Sequence, residues 1–183
     1  MKMHTFLRLA LAALVAAAVP AAQAFDWRPD AVEVHAGGGP HGAAMAGAGL
    51  QWDWDWERLR RAELTAHTEL MLNHWRADAP GSGQQGITQV VVLPTLRMQL
   101  ARGQSPWYIE LGIGASWMDR RPVVDGEQFS TQWNFYDVLG LGYRFGGQDR
   151  HELGLRWVHV SNGGVKEPNP GQNLLQLRYV ARF

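Results

Sequence analysis

Apolar and polar residues alternate with a period of two along most of this chain, and this pattern limits the possible folds more than any other feature. From Trp107 to Ala115, for example, the odd-numbered residues are Trp, Ile, Leu, Ile and Ala, whereas the even-numbered ones are Tyr, Glu, Gly and Gly. Successive side chains of a β-strand point to opposite faces, so each such segment predicts a strand with one apolar face. Turn residues separate the segments, which number eight: 32–36, 51–57, 63–73, 90–99, 107–116, 133–145, 152–161 and 175–181.

These eight segments predict an all-β fold, namely an eight-stranded antiparallel transmembrane β-barrel. The even strand number suits an up-and-down barrel, and the charged residues at alternate positions would be costly to bury in the core of a soluble sandwich. Membrane barrels carry aromatic girdles near their strand ends, and aromatic residues lie there in this chain: Trp52, Trp54, Trp56, Trp75, Trp107, Trp117, Trp133 and Tyr179. A soluble sandwich or barrel is the alternative, because its strands also alternate.

Residues 1–24 predict a cleaved signal peptide rather than part of the fold. They begin with the basic residues Lys2 and Arg8, continue with an apolar run, and end in Ala-Gln-Ala, which fits a cleavage site. The apolar run is too short to cross a bilayer as a helix, although an uncleaved transmembrane anchor is the alternative. We therefore expect residues 25–183 to form one outer-membrane β-barrel domain.

Composition excludes several classes of function. Without the two basic residues of the signal segment, the 17 basic residues of the chain fall to 15, against 17 acidic ones. A net charge of about −2 gives no electrostatic footprint for nucleic acid. Cysteine is absent, so the chain has no thiol nucleophile, no disulfide and no thiolate metal site.

The strand count also predicts where the loops lie, because both termini of such barrels face the periplasm. The seventh strand then runs outward, so His159 and Ser161 lie at its outer end and the loop Asn162–Gly171 is extracellular. Eight strands leave an interior just wide enough for side chains to fill. Instead of a pore, we expect buried, mutually paired charges there: Glu33, Asp53, Glu69, Arg97, Glu110, Arg144, Arg156 and Arg178.

His159 and Ser161 share the apolar face of the seventh strand, where they continue a row of Leu and Trp side chains. Residues two apart on one strand face are neighbours, with Cα atoms roughly 6–7 Å apart. A serine becomes a nucleophile when a base lies within hydrogen-bond reach, so the two residues are a candidate catalytic pair for a water-poor substrate. The alternative is that both polar residues mark the membrane interface and that Asn162-Gly163-Gly164 is an ordinary turn.

The residues around this pair carry a family resemblance. The stretch His159-Val160-Ser161-Asn162-Gly163-Gly164-Val165-Lys166, followed by Pro168-Asn169-Pro170-Gly171, resembles the signature of the lipid A 3-O-deacylase (PagL) family. The likeness continues over residues 173–179 and is weaker over residues 107–116 and 139–146. The resemblance implies a bacterial outer-membrane barrel of eight strands. It also implies a hydrolase that cleaves the ester-linked acyl chain at the 3 position of lipid A, which is a component of lipopolysaccharide.

The resemblance also implies roles for single residues. His159 is the base, Ser161 is the nucleophile, and the Asn162 side chain with the Gly164 backbone N–H holds the oxyanion. Phe135 matches an active-site aromatic. If the pair is catalytic, we expect the acyl chain to lie in a lipid-facing groove beside Leu155, Trp157 and Phe135. The site is expected to face the outer leaflet, with lipopolysaccharide and outer-membrane lipid as partners and no cofactor or metal. The sequence leaves open whether the barrel forms a homodimer.

The chain departs from the family pattern at one position. The family completes its triad with a glutamate just after the glycine of the Pro-Asn-x-Gly loop, whereas this chain has Gln172 and Asn173 there. We expect Gln172 to take the third position, with Asn173 or Glu167 as alternatives. An amide oxygen accepts the imidazole N–H but supplies no negative charge to imidazolium. The functional alternatives are therefore a catalytically impaired structural or interaction barrel of the same fold, or an outer-membrane phospholipase.

Overall fold

Residues 27–54, 64–101 and 104–183 are described by the structure, which is a computed structural model. Eight long strands correspond to the predicted segments, of which residues 55–57 and 63 lie outside the described residues: β1 (Ala31–Gly38), β2 (Ala44–Trp54), β3 (Leu64–Asp78), β4 (Gln84–Gln99), β5 (Trp107–Met118), β6 (Trp133–Phe145), β7 (His151–Ser161) and β8 (Gln172–Arg182). The predicted signal peptide, residues 1–24, and Trp56 lie outside the described residues. Within the described ranges, no helix is long and apolar enough to cross a membrane.

Each long strand pairs antiparallel with its neighbours in sequence, and β8 returns to pair with β1, which closes the sheet. Along this seam Ala31 lies opposite Arg182, and Gly38 lies opposite Leu175. Closure leaves none of the eight strands with an unpaired edge. The predicted all-β, eight-stranded antiparallel barrel is thus confirmed.

The two ends of the barrel differ. The lower end is the one where β1 begins and β8 ends, and the upper end carries the loop 162–171. A short hairpin in the β5–β6 connection, Val123–Val124 with Glu127–Gln128, extends the sheet beyond the upper end of β3, where Val123 pairs with Asp78. The upper end therefore has more ordered structure above the barrel than a set of simple turns would give.

The outer surface of the barrel is apolar, as the alternation predicts. In β7, for example, the outward side chains of Leu153, Leu155 and Trp157 are 46%, 48% and 47% exposed, while the alternate residues are buried. A row of stacked and edge-on rings runs around the lower end, with neighbouring ring centroids 4.9–6.4 Å apart: Trp107, Tyr143, Phe145, His151 and Tyr179. These rings form the lower of the aromatic girdles expected from the sequence.

Trp75 does not belong to a girdle, and that part of the prediction was wrong. Its side chain is fully buried inside the barrel, where its Nε1–H donates to Gln89 Oε1 over 2.8 Å. Alternation alone does not say which face of a strand is the interior when both faces carry apolar residues. In β3 the residues in phase with Trp75 face inward, so the ring does too.

A network of salt bridges fills the lower half of the interior. Its members are three arginines and four glutamates, each at most 2% exposed: Arg97, Arg156, Arg178, Glu33, Glu69, Glu110 and Glu152. Arg156, for example, donates to Glu69 over 2.6 and 2.9 Å and to Glu110 over 2.6 Å. The predicted pairing of interior charges is thus confirmed. The predicted burial is wrong for two residues, because Asp53 is exposed and Arg144 is partly exposed at the lower rim. Burial without such pairing would be prohibitive for seven charges.

Apolar side chains fill the upper half of the interior, behind the upper end of β7, the strand that carries His159 and Ser161. This layer contains Met45, Met71, Trp75, Ile87, Val91, Leu93, Met118, Phe129, Tyr136, Val138, Val158, Val160 and Leu174. The inward Val91 and Leu93 explain why the alternation of β4 is blurred in the sequence. In the part of the chain that the structure describes, the barrel therefore holds packed side chains in two layers, one ionic and one apolar.

Candidate active site

His159 and Ser161 lie at the upper end of β7 and point outward, while Val160 between them is buried in the interior. His159 is partly exposed, and Ser161 is 7% exposed. Strand pairing places Ser161 opposite Phe135 of β6. The sequence-predicted pair therefore stands on the outer wall of the barrel, in line with an exposed apolar row.

The imidazole of His159 is held on two sides. Its Nδ1 lies 2.8 Å from Asn173 Oδ1, and its ring stacks on Trp157 with centroids 5.7 Å apart and planes 15° apart. An amide oxygen only accepts hydrogen bonds, so Nδ1 carries the proton in this pair. In the neutral imidazole Nε2 is then the nitrogen with the lone pair, which is the one that a general base uses.

Asn173, and not Gln172, is the residue that contacts the imidazole. Asn173 is the register partner of His159, whereas Gln172 pairs with Val160, points into the barrel and is 3% exposed. The Nε2 of Gln172 donates instead to the main-chain oxygen of Asn173 over 2.9 Å. Gln172 was therefore the wrong choice for the third position, because adjacent residues of a strand face opposite sides. Glu167 lies in the exposed loop, where its carboxylate accepts the Asn169 N–H over 2.9 Å.

The two groups predicted to hold an oxyanion have other partners in the structure. The Nδ2 of Asn162 donates to Ser130 Oγ over 2.9 Å and to the Lys166 carbonyl over 2.6 Å, which uses both of its hydrogens. The Gly164 N–H donates to Asn162 Oδ1 over 2.9 Å. The backbone amide beside the nucleophile is that of Gly163, whose nitrogen lies 3.4 Å from Ser161 Oγ. The assignment made from the sequence named the Gly164 N–H and not that of Gly163.

Ser130 ties this loop to the β5–β6 connection. Its Oγ donates to the Lys166 carbonyl over 2.7 Å while accepting from Asn162, and its N–H donates to the Pro168 carbonyl over 3.2 Å. Ser130 is 9% exposed, so these bonds are largely shielded from water. The sequence carries no signal for this residue, because the contact joins two loops that are distant in the chain.

Asp137 lies beside the pair and was also missed as a site residue. It is the residue that interrupts the apolar alternation of β6, and strand pairing places it directly opposite His159. It points outward and is partly buried. The interruption itself was the signal in the sequence, but its meaning depends on the register between β6 and β7.

Phe135 and Trp157, the residues expected to line a substrate groove, both lie beside the pair: Phe135 is opposite Ser161 on β6, and Trp157 stacks on His159. The ring of Phe135 is so close to Gly163 that a Cβ added to that glycine would lie 2.9 Å from it. Trp157 is one step below His159 on the same face of β7. The site thus combines a serine, a histidine with an oriented ring, and an apolar surface that descends from them.

Comparisons with known proteins agree with this geometry. A family model described as lipid A 3-O-deacylase (PagL) matches residues 44–182. A lipid A deacylase PagL of Bordetella bronchiseptica is 36% identical over 124 residues, which are 67% of this chain and 64% of that protein. One of Pseudomonas aeruginosa is 30% identical over 116 residues, 63% of this chain and 64% of that protein. The matched part thus spans somewhat less than two thirds of each relative.

A solved structure resembles the whole barrel. The crystal structure of the outer membrane enzyme PagL superposes with a TM-score of 0.70 at 26% sequence identity, and the match covers 84% of this chain and 99% of that one. The similarity therefore extends over most of the chain and is not limited to the motif around the serine.

Proposed function

This outer-membrane barrel belongs to the lipid A 3-O-deacylase (PagL) family, and we propose that it is a serine esterase that hydrolyses the acyl chain at the 3 position of lipid A. The observation that carries the proposal is the arrangement at the upper end of β7. Ser161 and His159 share an outward face, and the bond from Nδ1 to Asn173 leaves Nε2 free to act as a base.

In the proposed reaction, Ser161 Oγ attacks the ester carbonyl of lipid A and His159 Nε2 takes the Oγ proton. The tetrahedral intermediate collapses, the sugar oxygen leaves, and the imidazolium returns the proton to it. Water, deprotonated by the same Nε2, then attacks the acyl-serine ester. The bond between the acyl carbon and Ser161 Oγ breaks, Oγ takes the proton from the imidazolium, and the fatty acid is released. Each step follows the general scheme of serine hydrolases.

The oxyanion of the intermediate needs donors that are already oriented. The Gly163 N–H, which now points at Ser161 Oγ over 3.4 Å, is the nearest of them. Asn162 Nδ2 and the Gly164 N–H act as further donors in the proposed mechanism. Asn162 exchanges its bond to the Lys166 carbonyl for one to the oxyanion and keeps its bond to Ser130, and Gly164 exchanges its bond to Asn162 Oδ1. The loop therefore adjusts when substrate binds, while the residues on β7 stay fixed by strand pairing.

The apolar row below the serine is the proposed place of the acyl chain. Leu155 and Trp157 are nearly half exposed and lie directly beneath the pair on the face that lipid covers, and Phe135 borders it on β6. An acyl chain on this row has its ester at the level of Ser161. With the lower end in the periplasm, the upper end faces the outer leaflet, where lipopolysaccharide lies.

A catalytically impaired barrel of the same fold is the second candidate, and one observation favours it. The partner of His159 is the neutral Asn173, which orients the imidazole but adds no charge. This candidate predicts a folded barrel without esterase activity. An outer-membrane phospholipase would use the same residues on a different head group.

Mass spectrometry of lipid A from cells that express the full chain separates these candidates. We expect loss of one hydroxy-acyl mass with the wild-type chain and no loss with Ser161→Ala. Ser116→Ala is a matched control, because Ser116 is buried on the inner face, where its Oγ bonds to the Asn134 carbonyl. Identical spectra for wild type and Ser161→Ala would contradict the proposal, provided that heat-dependent gel mobility shows both barrels to be folded. Fatty acid release from phospholipid alone in the same extracts would identify the phospholipase.

A further inference from the structure

We propose that Asp137 is a positioning residue for His159 and supplies the negative charge that Asn173 lacks. The inference deepens the proposed function and rests on it for the identity of the ester. It concerns the β6 side of the imidazole, opposite the side held by Asn173. The charge acts on His159, so Asp137 has no direct contact with the substrate.

Strand register provides the first support. Asp137 of β6 pairs with His159 of β7, in the same phase as Leu139 with Trp157 and Phe135 with Ser161. Residues directly opposite in antiparallel strands have Cα atoms about 4.5–5.5 Å apart and side chains on the same face. His159 in turn pairs with Asn173 of β8. The imidazole therefore stands between a carboxylate and an amide, on three adjacent strands.

The surroundings of Asp137 provide the second support. On the side away from His159, Asp137 lies opposite Ile113 of β5. Its outward neighbours along β6 are Phe135 and Leu139. None of these side chains carries a charge or a hydrogen-bonding group. A carboxylate on an apolar, lipid-facing surface is costly and usually functional. In register with Asp137, the group that can compensate it is the imidazole of His159.

The chemistry explains what this charge does. When His159 takes the proton of Ser161, an imidazolium forms on a surface of low dielectric, where a nearby negative charge stabilises it strongly. Asn173 Oδ1 fixes the tautomer through Nδ1 but contributes only a dipole. The two functions that a single carboxylate combines in a Ser-His-Asp triad are thus divided here between Asn173, which orients, and Asp137, which stabilises charge.

The rate at which a fluorophosphonate labels Ser161 tests this division without depending on lipid A. In that reaction the Oγ–P bond forms, the P–F bond breaks, and His159 accepts the Oγ proton. The full-length barrel is folded in detergent, and labelling is measured for wild type, Asp137→Asn, Asn173→Glu and the double variant. Asn has the size of Asp without its charge. Asp125→Asn, which removes an exposed carboxylate paired with His41 on the outer loops, is the matched control.

We expect Asp137→Asn to slow labelling by about 10- to 100-fold, less than loss of the acid in a full triad because Asn173 still orients the ring. In the Asn173→Glu background the same change should cost less than about threefold, since a carboxylate then contacts His159 from β8. Asp125→Asn should label at the wild-type rate. Asp137→Ser serves as a second charge-removing variant should Asp137→Asn not fold.

Three results would overturn the inference. The first is labelling of Asp137→Asn at the wild-type rate. The second is an equal loss of labelling rate from Asp137→Asn in the wild-type and Asn173→Glu backgrounds, which indicates a structural effect. The third is no labelling of the wild-type barrel at all. Labelling that depends on Asp137 without any release of acyl chains from lipid A would support the inference while contradicting the proposed substrate. The two proposals can therefore fail separately.

Discussion

Replacing Arg156 by methionine tests how much the buried salt bridges contribute to the stability of the barrel. Arg156 is fully buried and makes three hydrogen bonds of 2.6–2.9 Å to the carboxylates of Glu69 and Glu110. Methionine keeps much of the side-chain volume but removes the charge and all donors. Glu69 and Glu110 then keep one arginine neighbour each, Arg178 at 3.2 Å and Arg97 at 3.1 Å.

The magnitude follows from these contacts. A hydrogen bond to a charged group contributes about 1.5–3 kcal/mol, and removal of one partner of a buried ion pair typically costs about 3–5 kcal/mol. Because both glutamates retain a neighbour, we expect a loss of about 3–5 kcal/mol in the free energy of unfolding, rather than the larger sum of three separate bonds. Glu110→Gln should lower the free energy of unfolding less in the Arg156→Met background than in the wild type. In that background it removes a charge that has lost its main partner.

The assay is equilibrium unfolding in urea or guanidinium of the barrel in lipid vesicles, followed by tryptophan fluorescence. Arg150→Met is the matched control, because Arg150 is exposed at the lower end, where its guanidinium donates to Gln148 Oε1 over 3.1 Å. Its effect should stay within about 0.5 kcal/mol. A cost of less than about 1 kcal/mol for Arg156→Met, similar to the control, would refute the view that these charges are buried and mutually dependent.

Three further substitutions test the upper end of the barrel, each by the rate of acyl release from lipid A in mixed micelles. Ser130→Ala should lower kcat by about 10-fold with little change in stability, because the loop that carries Asn162 loses its anchor. Trp157→Ala should lower kcat/KM by about 10- to 100-fold, since both the stacking on His159 and the apolar row are lost. Gly163→Ala should nearly abolish activity, because its φ of 66° is unfavourable for alanine and the new Cβ would meet the ring of Phe135.

Each of these three expectations has a result that would contradict it. Wild-type kcat in Ser130→Ala would mean that the loop keeps its geometry without the hydroxyl, and Ser130→Thr, which retains the hydroxyl, is the control. Equal loss in Trp157→Phe and Trp157→Ala would argue against a role for ring stacking. Full activity of Gly163→Ala would show that the turn accepts a Cβ at this position and would contradict the close fit of Gly163 against Phe135.

Much of the fold followed from alternation because the barrel has only two environments, lipid and interior. In a strand such as β5, Glu110 lies on one face and Ile109 and Leu111 lie on the other. The local sequence therefore shows which face of the strand points into the barrel. The position of His159 and Ser161 followed for the same reason. Trp75 could not be oriented in this way, because the upper interior is itself apolar and so resembles the outer face.

The choice between Gln172 and Asn173 was open to the same reasoning. Leu175, Leu177 and Tyr179 face outward, so residue 173 is outward and residue 172 inward by parity. Asp137 and Ser130 are different cases. Their partners depend on the register between β6 and β7 and on contact between two loops, which are properties of the assembled barrel and leave no local pattern.

The position of His159 and Ser161 on the outer wall of the barrel has a kinetic consequence. An ester that reaches them travels within the leaflet, so encounter takes place by diffusion in two dimensions. For the proposed substrate, the effective concentration is then the mole fraction of lipid A at the surface and not its amount per volume of solution. Diluting the substrate with inert lipid at constant bulk concentration should slow hydrolysis in proportion, whereas diluting the whole suspension of proteoliposomes with buffer should leave the turnover per barrel unchanged.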